Sequence, residues 1–245
     1  MSIAVQWNVA DKEILLAIAS LTLGFIAYWF IAQSPRIANF FQKHYSTQKA
    51  GLYRVLFQRY TGFVCLGILP TLAIFTLLPT SWAQYGVSLN TSLATWYWLL
   101  ILTPLVFIIS QVNAKKADNL AMYPQIRLKN WTKHTFLHEY TSWMAYLIAY
   151  ELLFRGFFLF ACARVMSAWV AMAFNASVYA LSHLPKGRKE TIGAVPIGIL
   201  FSYITLTTGT IWVAVIIHIL MALSNSYFSF KYQPDMHYVT TRQTA

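Results

Sequence analysis

The sequence of 245 residues contains very little charge, and acidic residues are especially scarce, with only 7 Asp and Glu. Asp, Glu, Lys and Arg together make up 10% of the chain, against about 25% in an average soluble domain. This scarcity argues against a soluble enzyme, a disordered chain and a nucleic-acid-binding module, because each of these needs a charged surface. The 58% of hydrophobic residues instead predict an integral membrane protein whose partner is the lipid bilayer.

Cysteine is almost absent, and both cysteines, Cys65 and Cys162, lie in apolar runs. We expect each to be a small buried hydrophobic residue, since no disulfide framework and no CxxC metal motif is present. Residues 1–10 lack a basic segment, and no A-x-A cleavage site follows the first apolar run. The sequence therefore predicts that this run is a transmembrane helix and not a signal peptide.

Seven apolar runs approach the length of about 20 residues that a helix needs to cross the bilayer. They are residues 14–32, 62–82, 93–112, 142–162, 167–183, 192–207 and 211–230. These runs predict an all-α fold, a polytopic transmembrane helix bundle of about seven spans. Pro70 and Pro104 are expected to kink the second and third spans.

Most of the 18 Lys and Arg residues lie on one side of this seven-span topology. They fall in the first loop (Arg54 and Arg59 among them), the third and fifth loops, and the C-terminal tail with Arg242. Because basic loops stay in the cytoplasm, we predict an external N-terminus and a cytoplasmic C-terminus, in a bacterial inner (plasma) membrane.

The segment 126–136, just before the fourth predicted span, mixes apolar and basic residues. This mixture is typical of a helix lying flat on the inner leaflet and equally of a plain basic loop. His134, His138 and Glu139 lie at the same interface, where we expect solvated polar side chains.

Glu151 is the one carboxylate that lies deep inside an apolar run. An ionised group at the middle of the bilayer costs at least ~2.5–3.5 kcal/mol. Arg155 follows one helical turn later and can partly neutralise it. Two interpretations remain open: a structural ion pair that holds helices together, or a functional site.

Two histidines, His183 and His218, lie in other apolar runs. Each alone is typical of a hydrogen bond between helices. Together with Glu151 they predict either a metal site, binding zinc or another divalent ion, or a general base with polarising partners and no cofactor. Glu190, which opens the sixth span, is the second candidate carboxylate and could reach back toward His183.

The segment Glu151-Leu-Leu-Phe-Arg155 resembles the E-E-x-x-x-R signature of the CPBP intramembrane proteases, the group of CAAX prenyl proteases and bacteriocin-processing proteins. Tyr179-x-x-x-His183 is similar to the F-x-x-x-H motif of that family, and His218 corresponds to the histidine of its last motif.

Two positions differ from the family pattern. Tyr150 stands where the family has its first Glu, and Ala222 stands where it has Asn or Asp, with Asn225 three residues further on. Either Glu151 takes over as the base, or the scaffold is retained without proteolysis.

The resemblance implies a helical endopeptidase that cleaves a membrane-associated peptide or protein, with a glutamate activating water. Carried over residue by residue, it gives Glu151, Arg155, His183 and His218 as catalytic, and Glu151, His183 and His218 as the ligands of any metal. It divides the chain into a three-span region with basic cytoplasmic loops (1–136), a catalytic core (137–230) and a cytoplasmic tail (231–245).

Two other functions fit the same residues. One is a non-catalytic membrane protein that binds a partner or peptide, and the other is a small transporter or proton relay. For proteolysis, Glu151, His183 and His218 must meet in one cavity, which we expect to open to the cytoplasm.

Overall fold

The structure is a computed structural model that describes residues 9–89 and 91–240. Residues 1–8, which belong to the segment assessed for a signal peptide, and Arg242 of the predicted tail lie outside the described residues. The described part consists of helices joined by short turns, with one small pair of strands.

Eleven α-helices form the described part of the chain: α1 Val9–Ala32, α2 Pro35–His44, α3 Thr47–Phe63, α4 Leu69–Leu77, α5 Leu93–Asn113, α6 Ala117–Met122, α7 Lys133–Glu151, α8 Leu159–Val165, α9 Ala168–Leu181, α10 Arg188–Thr208 and α11 Trp212–Tyr232. A π-helical segment, Val64–Ile68, joins α3 to α4, and another, Leu152–Phe158, joins α7 to α8. Short 3-10 turns lie at Trp82–Tyr85 and Leu184–Lys186. Strand β1 (Asn130–Trp131) pairs in parallel with β2 (His237–Tyr238).

The predicted all-α membrane bundle is confirmed. Within the described residues, 6 helical stretches are long and apolar enough to cross a membrane: Asp11–His44, Thr47–Leu77, Leu93–Asn113, Lys133–Val165, Arg188–Thr208 and Trp212–Tyr232. The fifth predicted run forms only α9, whose 14 residues extend about 21 Å, less than a hydrocarbon core of roughly 30 Å. The bundle therefore has six long stretches and one shorter apolar helix.

The continuous rod of α7, the second π-helical segment and α8 lies at the centre of the bundle. Its most apolar window is 83% buried, against 22% for the window in α5. Phe154, Phe157 and Phe158 on this rod are completely buried and form the main core. Gly67 allows close approach here, because a Cβ at that position would lie 2.6 Å from the Cβ of Ala149.

The remaining helices pack against this rod or against one another. Helix α3 lies along α7, α9 lies along α10, and α5 lies along α11. Pro70 falls in the first turn of α4, directly after a π-helical segment, and Pro104 lies inside α5. A π-helical turn before a proline is one way to relieve the clash between its ring and the preceding turn.

The structure corrects two expectations about polar residues. Arg59 does not lie in a basic loop, because α3 begins at Thr47 and places it in the buried part of the second span. Glu139 is not solvated but fully buried, and it accepts a hydrogen bond of 2.7 Å from Arg59 Nη1. The two charges neutralise each other inside the bundle, whereas His134 and His138 are exposed as expected.

The segment before α7 is a loop and not a flat helix. It is extended at β1, and its apolar residues Ile126 and Trp131 are buried beside Phe230 of α11. Both cysteines, Cys65 and Cys162, are buried and outside any disulfide in the described residues, which confirms that expectation.

Candidate active site

Glu151 lies at the end of α7, in the middle of the central rod, and is fully buried. Its Oε1 lies 2.5 Å from His218 Nδ1 on α11. Its Oε2 lies 3.1 Å from Arg155 Nη1, one turn further along the same rod. The structure thus brings three of the four predicted site residues into direct contact.

Arg155 belongs to the π-helical segment that follows α7, a local geometry often found at functional sites. Its guanidinium carbon lies 4.0 Å from the centre of the Tyr179 ring and 5.5 Å from that of Phe201. Its Nε and Nη2 atoms are buried and make no hydrogen bond within residues 9–89 and 91–240. The aromatic faces and the Glu151 carboxylate therefore stabilise this buried cation.

Both histidines direct Nδ1 at an oxygen atom of the protein. His183 Nδ1 lies 2.9 Å from the carbonyl oxygen of Tyr179, and His218 Nδ1 faces the Glu151 carboxylate. Each Nδ1 faces an oxygen that can only accept a hydrogen bond, so in a neutral ring the proton belongs on Nδ1. Nε2 then has a free lone pair, which can accept a proton or bind a metal.

A cavity of about 460 Å³ lies between α5, α6, α10 and α11. Both histidines line it, whereas Glu151 is not among the described lining residues and lies behind His218. One wall is apolar, formed by residues such as Leu102, Val106 and Ile197. The cavity therefore presents two imidazoles beside an apolar surface.

The opposite end of this cavity is polar. Tyr123 donates a hydrogen bond of 2.9 Å to Glu190, and Lys186 Nζ lies 3.9 Å from the same carboxylate. Burial and the Glu190 carboxylate both raise the pKa of Tyr123, so its hydroxyl stays protonated. Glu190 therefore borders the cavity that His183 lines and is held there by Tyr123 and Lys186.

Tyr150, at the position of the family's first Glu, is buried against both imidazoles. Its ring centre lies 6.2 Å from that of His183 and 5.9 Å from that of His218, edge to face in each case. Its hydroxyl lies 2.6 Å from Ser182 Oγ. The phenol ring of Tyr150 therefore packs against both histidines.

Asn225 lines the cavity together with His218. It lies seven residues after His218 on α11, which returns it to nearly the same helix face. Ala222 also lines the cavity but offers no polar group. The amide that the family places one turn after the histidine is here available two turns after it.

Sequence reasoning named Tyr179 as a motif residue without a role and did not identify Ser182, and both residues shape this site. The Tyr179 carbonyl orients His183 and its ring covers Arg155, and Ser182 links Tyr150 to the turn that contains His183. The spacing of Tyr179 and His183, one helical turn apart, was the available signal for the first. Nothing in the sequence indicated the second.

The side chains of the described residues are not arranged as a preformed metal-binding site. Among the residues that the structure describes, no group of three or more His, Cys, Asp or Glu side chains is arranged to hold an ion. Both Glu151 oxygens already face His218 and Arg155. The predicted metal set of Glu151, His183 and His218 stays a prediction.

Part of the chain matches a known protein family. Residues 134–224 match the Rce1-like family, described as type II CAAX prenyl endopeptidases. The predicted resemblance is confirmed. The Rce1-like segment runs from α7 into α11 and contains Glu151, Arg155, His183 and His218, whereas α1 to α6 lie outside it. No curated protein and no solved structure matches the chain.

Proposed function

We propose that this integral membrane protein is an intramembrane endopeptidase that hydrolyses a peptide bond in a membrane-associated peptide or protein. One observation carries the proposal: the buried Glu151 carboxylate contacts His218, and His218 lines a cavity with His183. The match of this segment to a peptidase family supports the same conclusion.

In the proposed mechanism the base is His218, held by Glu151. His218 Nε2 takes a proton from water, and the water oxygen attacks the carbonyl carbon of the substrate. Glu151 stabilises the imidazolium through Nδ1–H, as the buried carboxylate does in hydrolase triads. His218 then gives its proton to the leaving nitrogen as the C–N bond breaks. This route replaces direct proton transfer to Glu151, because that carboxylate is buried behind the imidazole.

The other two predicted residues have supporting parts in this proposal. Arg155 holds the Glu151 carboxylate in place, with Nη1 3.1 Å from Oε2. His183, with Nδ1 facing the Tyr179 carbonyl, has its Nε2 lone pair free to accept a hydrogen bond from the attacking water or from the substrate N–H. The apolar wall of the cavity suits a hydrophobic part of the substrate.

The test is peptide cleavage by the purified full chain in liposomes, with a library of membrane-anchored peptides that includes prenylated ones. We expect the native protein to cleave a subset, and Glu151→Gln and His218→Ala to lose at least about 100-fold in rate, the usual contribution of a general base. His138→Ala is the matched control, because this exposed histidine of α7 lies outside the cavity.

Two outcomes would contradict the proposal. Absence of cleavage with retained, saturable peptide binding would favour the non-catalytic binding protein, which the Tyr150 and Ala222 positions also fit. Ion flux through the same liposomes that requires Glu151 would favour the proton relay.

A further inference from the structure

A second cavity, of about 740 Å³, lies on the other side of the central rod. It is formed by α1, α3, α7 and the turn after α9. Trp143 and Lys186 line both this cavity and the one with the histidines, so the two cavities share a wall. The proposed reaction uses no residue of this second cavity.

The polar lining of the second cavity is rich in hydrogen-bond donors. Lys186 contributes an ammonium group, and Arg59 contributes a guanidinium group whose charge is already balanced by Glu139. Gln33, Gln58 and Gln125 contribute amides, and none of the described lining residues is Asp or Glu. The Nε of Arg59 is buried and finds no acceptor in the described part of the chain, although its Nη atoms bind Glu139. Such a lining favours an anion.

The apolar lining faces the lipid side of the bundle. Ile26, Trp29 and Phe30 of α1 line the cavity and also stay exposed, with Phe30 72% exposed. Only 22% of the most apolar window in the first span is buried. The cavity therefore continues onto a surface that lipid chains cover in the membrane.

From these contacts we infer that the second cavity binds one anionic phospholipid. Its phosphate lies between Lys186 and Arg59, and its acyl chains follow Ile26, Trp29 and Phe30. A polar ligand without chains would leave this aromatic wall uncovered, and the positive group of a zwitterionic lipid would find no carboxylate among the described lining residues. Lys186 lies 3.9 Å from Glu190 of the first cavity, so the bound phosphate and Glu190 compete for one ammonium group.

The experiment is native mass spectrometry of the detergent-purified full chain with phosphatidylglycerol or phosphatidylcholine. We expect selective retention of phosphatidylglycerol, and about fivefold weaker retention in Lys186→Gln, the factor typical of one lysine at an anionic leaflet. Lys189→Gln is the matched control. It removes the same charge three residues later, from an exposed lysine that pairs with Asp118 outside the cavity.

A second measurement uses the native protein, so it does not depend on how a variant folds. Phosphatidylglycerol with a photoreactive acyl chain should crosslink to peptides that contain residues 25–33. Equal loss in Lys186→Gln and Lys189→Gln, equal retention of the two lipids, or crosslinks confined to α5 would overturn the inference. Inorganic phosphate that displaces the lipid at millimolar concentration would overturn the part assigned to the acyl chains. None of these outcomes depends on peptide cleavage.

Discussion

Glu139 and Glu151 of the central rod each pair with a buried guanidinium group, and the two pairs differ in how completely their polar atoms are satisfied. In the first, Glu139 accepts hydrogen bonds from Arg59, from Trp143 Nε1 at 3.0 Å and from Ser226 Oγ at 2.5 Å. Both of its oxygens are used, and these contacts join α3, α7 and α11. Arg59 Nε is the one polar atom of this pair that makes no hydrogen bond within the described residues. This pair has the character of a structural network.

The second pair, Glu151 and Arg155, is incomplete. Glu151 Oε2 and two Arg155 nitrogens make no hydrogen bond within the described residues, although Oε2 lies 3.1 Å from Arg155 Nη1 in the ion pair. Glu151 Oε1 contacts His218 at the edge of a cavity. A buried pair left partly unsatisfied beside a cavity is expensive for folding, and such groups concentrate at functional sites. Both pairs are buried, and the number of polar atoms without a hydrogen bond in the described residues, one against three, distinguishes the structural pair from the candidate catalytic one.

Removing one charge from the structural pair should give the largest loss of stability. Glu139→Gln keeps an acceptor for Trp143 and Ser226 but leaves Arg59 as an unpaired buried cation. We expect the free energy of unfolding to fall by about 3–5 kcal/mol. Chemical unfolding in detergent micelles, followed by tryptophan fluorescence, measures this change.

Asp118→Asn is the control for that experiment, since it breaks an exposed pair with Lys189 and should leave the unfolding curve unchanged. If the Glu139→Gln protein were as stable as the native one, the hydrogen-bond network around Glu139 would contribute nothing to the stability of the fold. The first pair would then have no structural role that distinguishes it from the second.

Removing both charges from the second pair should separate stability from activity. In Glu151→Gln/Arg155→Met no buried charge is left unpaired, and Gln can still accept from His218 Nδ1. We expect an unfolding free energy within about 1 kcal/mol of the native value, with peptide cleavage reduced to background. A loss as large as that of Glu139→Gln would make Glu151 and Arg155 a structural lock like the first pair.

The sequence predicted the second pair but not the first, for a physical reason. Glu151 stands alone in an apolar run, and Arg155 is one turn away, so both burial and pairing follow from local spacing. Glu139 lies at the edge of an apolar run, and its partner Arg59 lies 80 residues away in a stretch that also contains Arg54. Only tertiary packing brings these two charges together, and no local sequence pattern indicates that they pair.

Local sequence patterns also predicted only part of the spans and of the cavities. Apolar runs predicted the helices of the bundle, because lipid exposure requires continuous apolar length. They did not predict that α9 stops at Leu181, since the run continues through Ser182 and His183 before Pro185. The shared wall of the two cavities involves Trp143, whose indole is indistinguishable in the sequence from an interfacial anchor.

The smallest expected effect concerns Tyr150, which occupies the position of the family's first Glu. Tyr150→Phe keeps the ring that packs against both histidines and removes only the hydroxyl that contacts Ser182 at 2.6 Å. We expect a loss of about 1 kcal/mol in unfolding free energy and a decrease of a few fold in kcat, with KM unchanged. Ser182→Ala removes the other hydroxyl of this contact and should match it. A loss of 100-fold or more in Tyr150→Phe, without a matching loss in Ser182→Ala, would instead give the phenol a direct role in the reaction. Neither the lost contact with Ser182 nor the packing of the ring would then explain the decrease in rate.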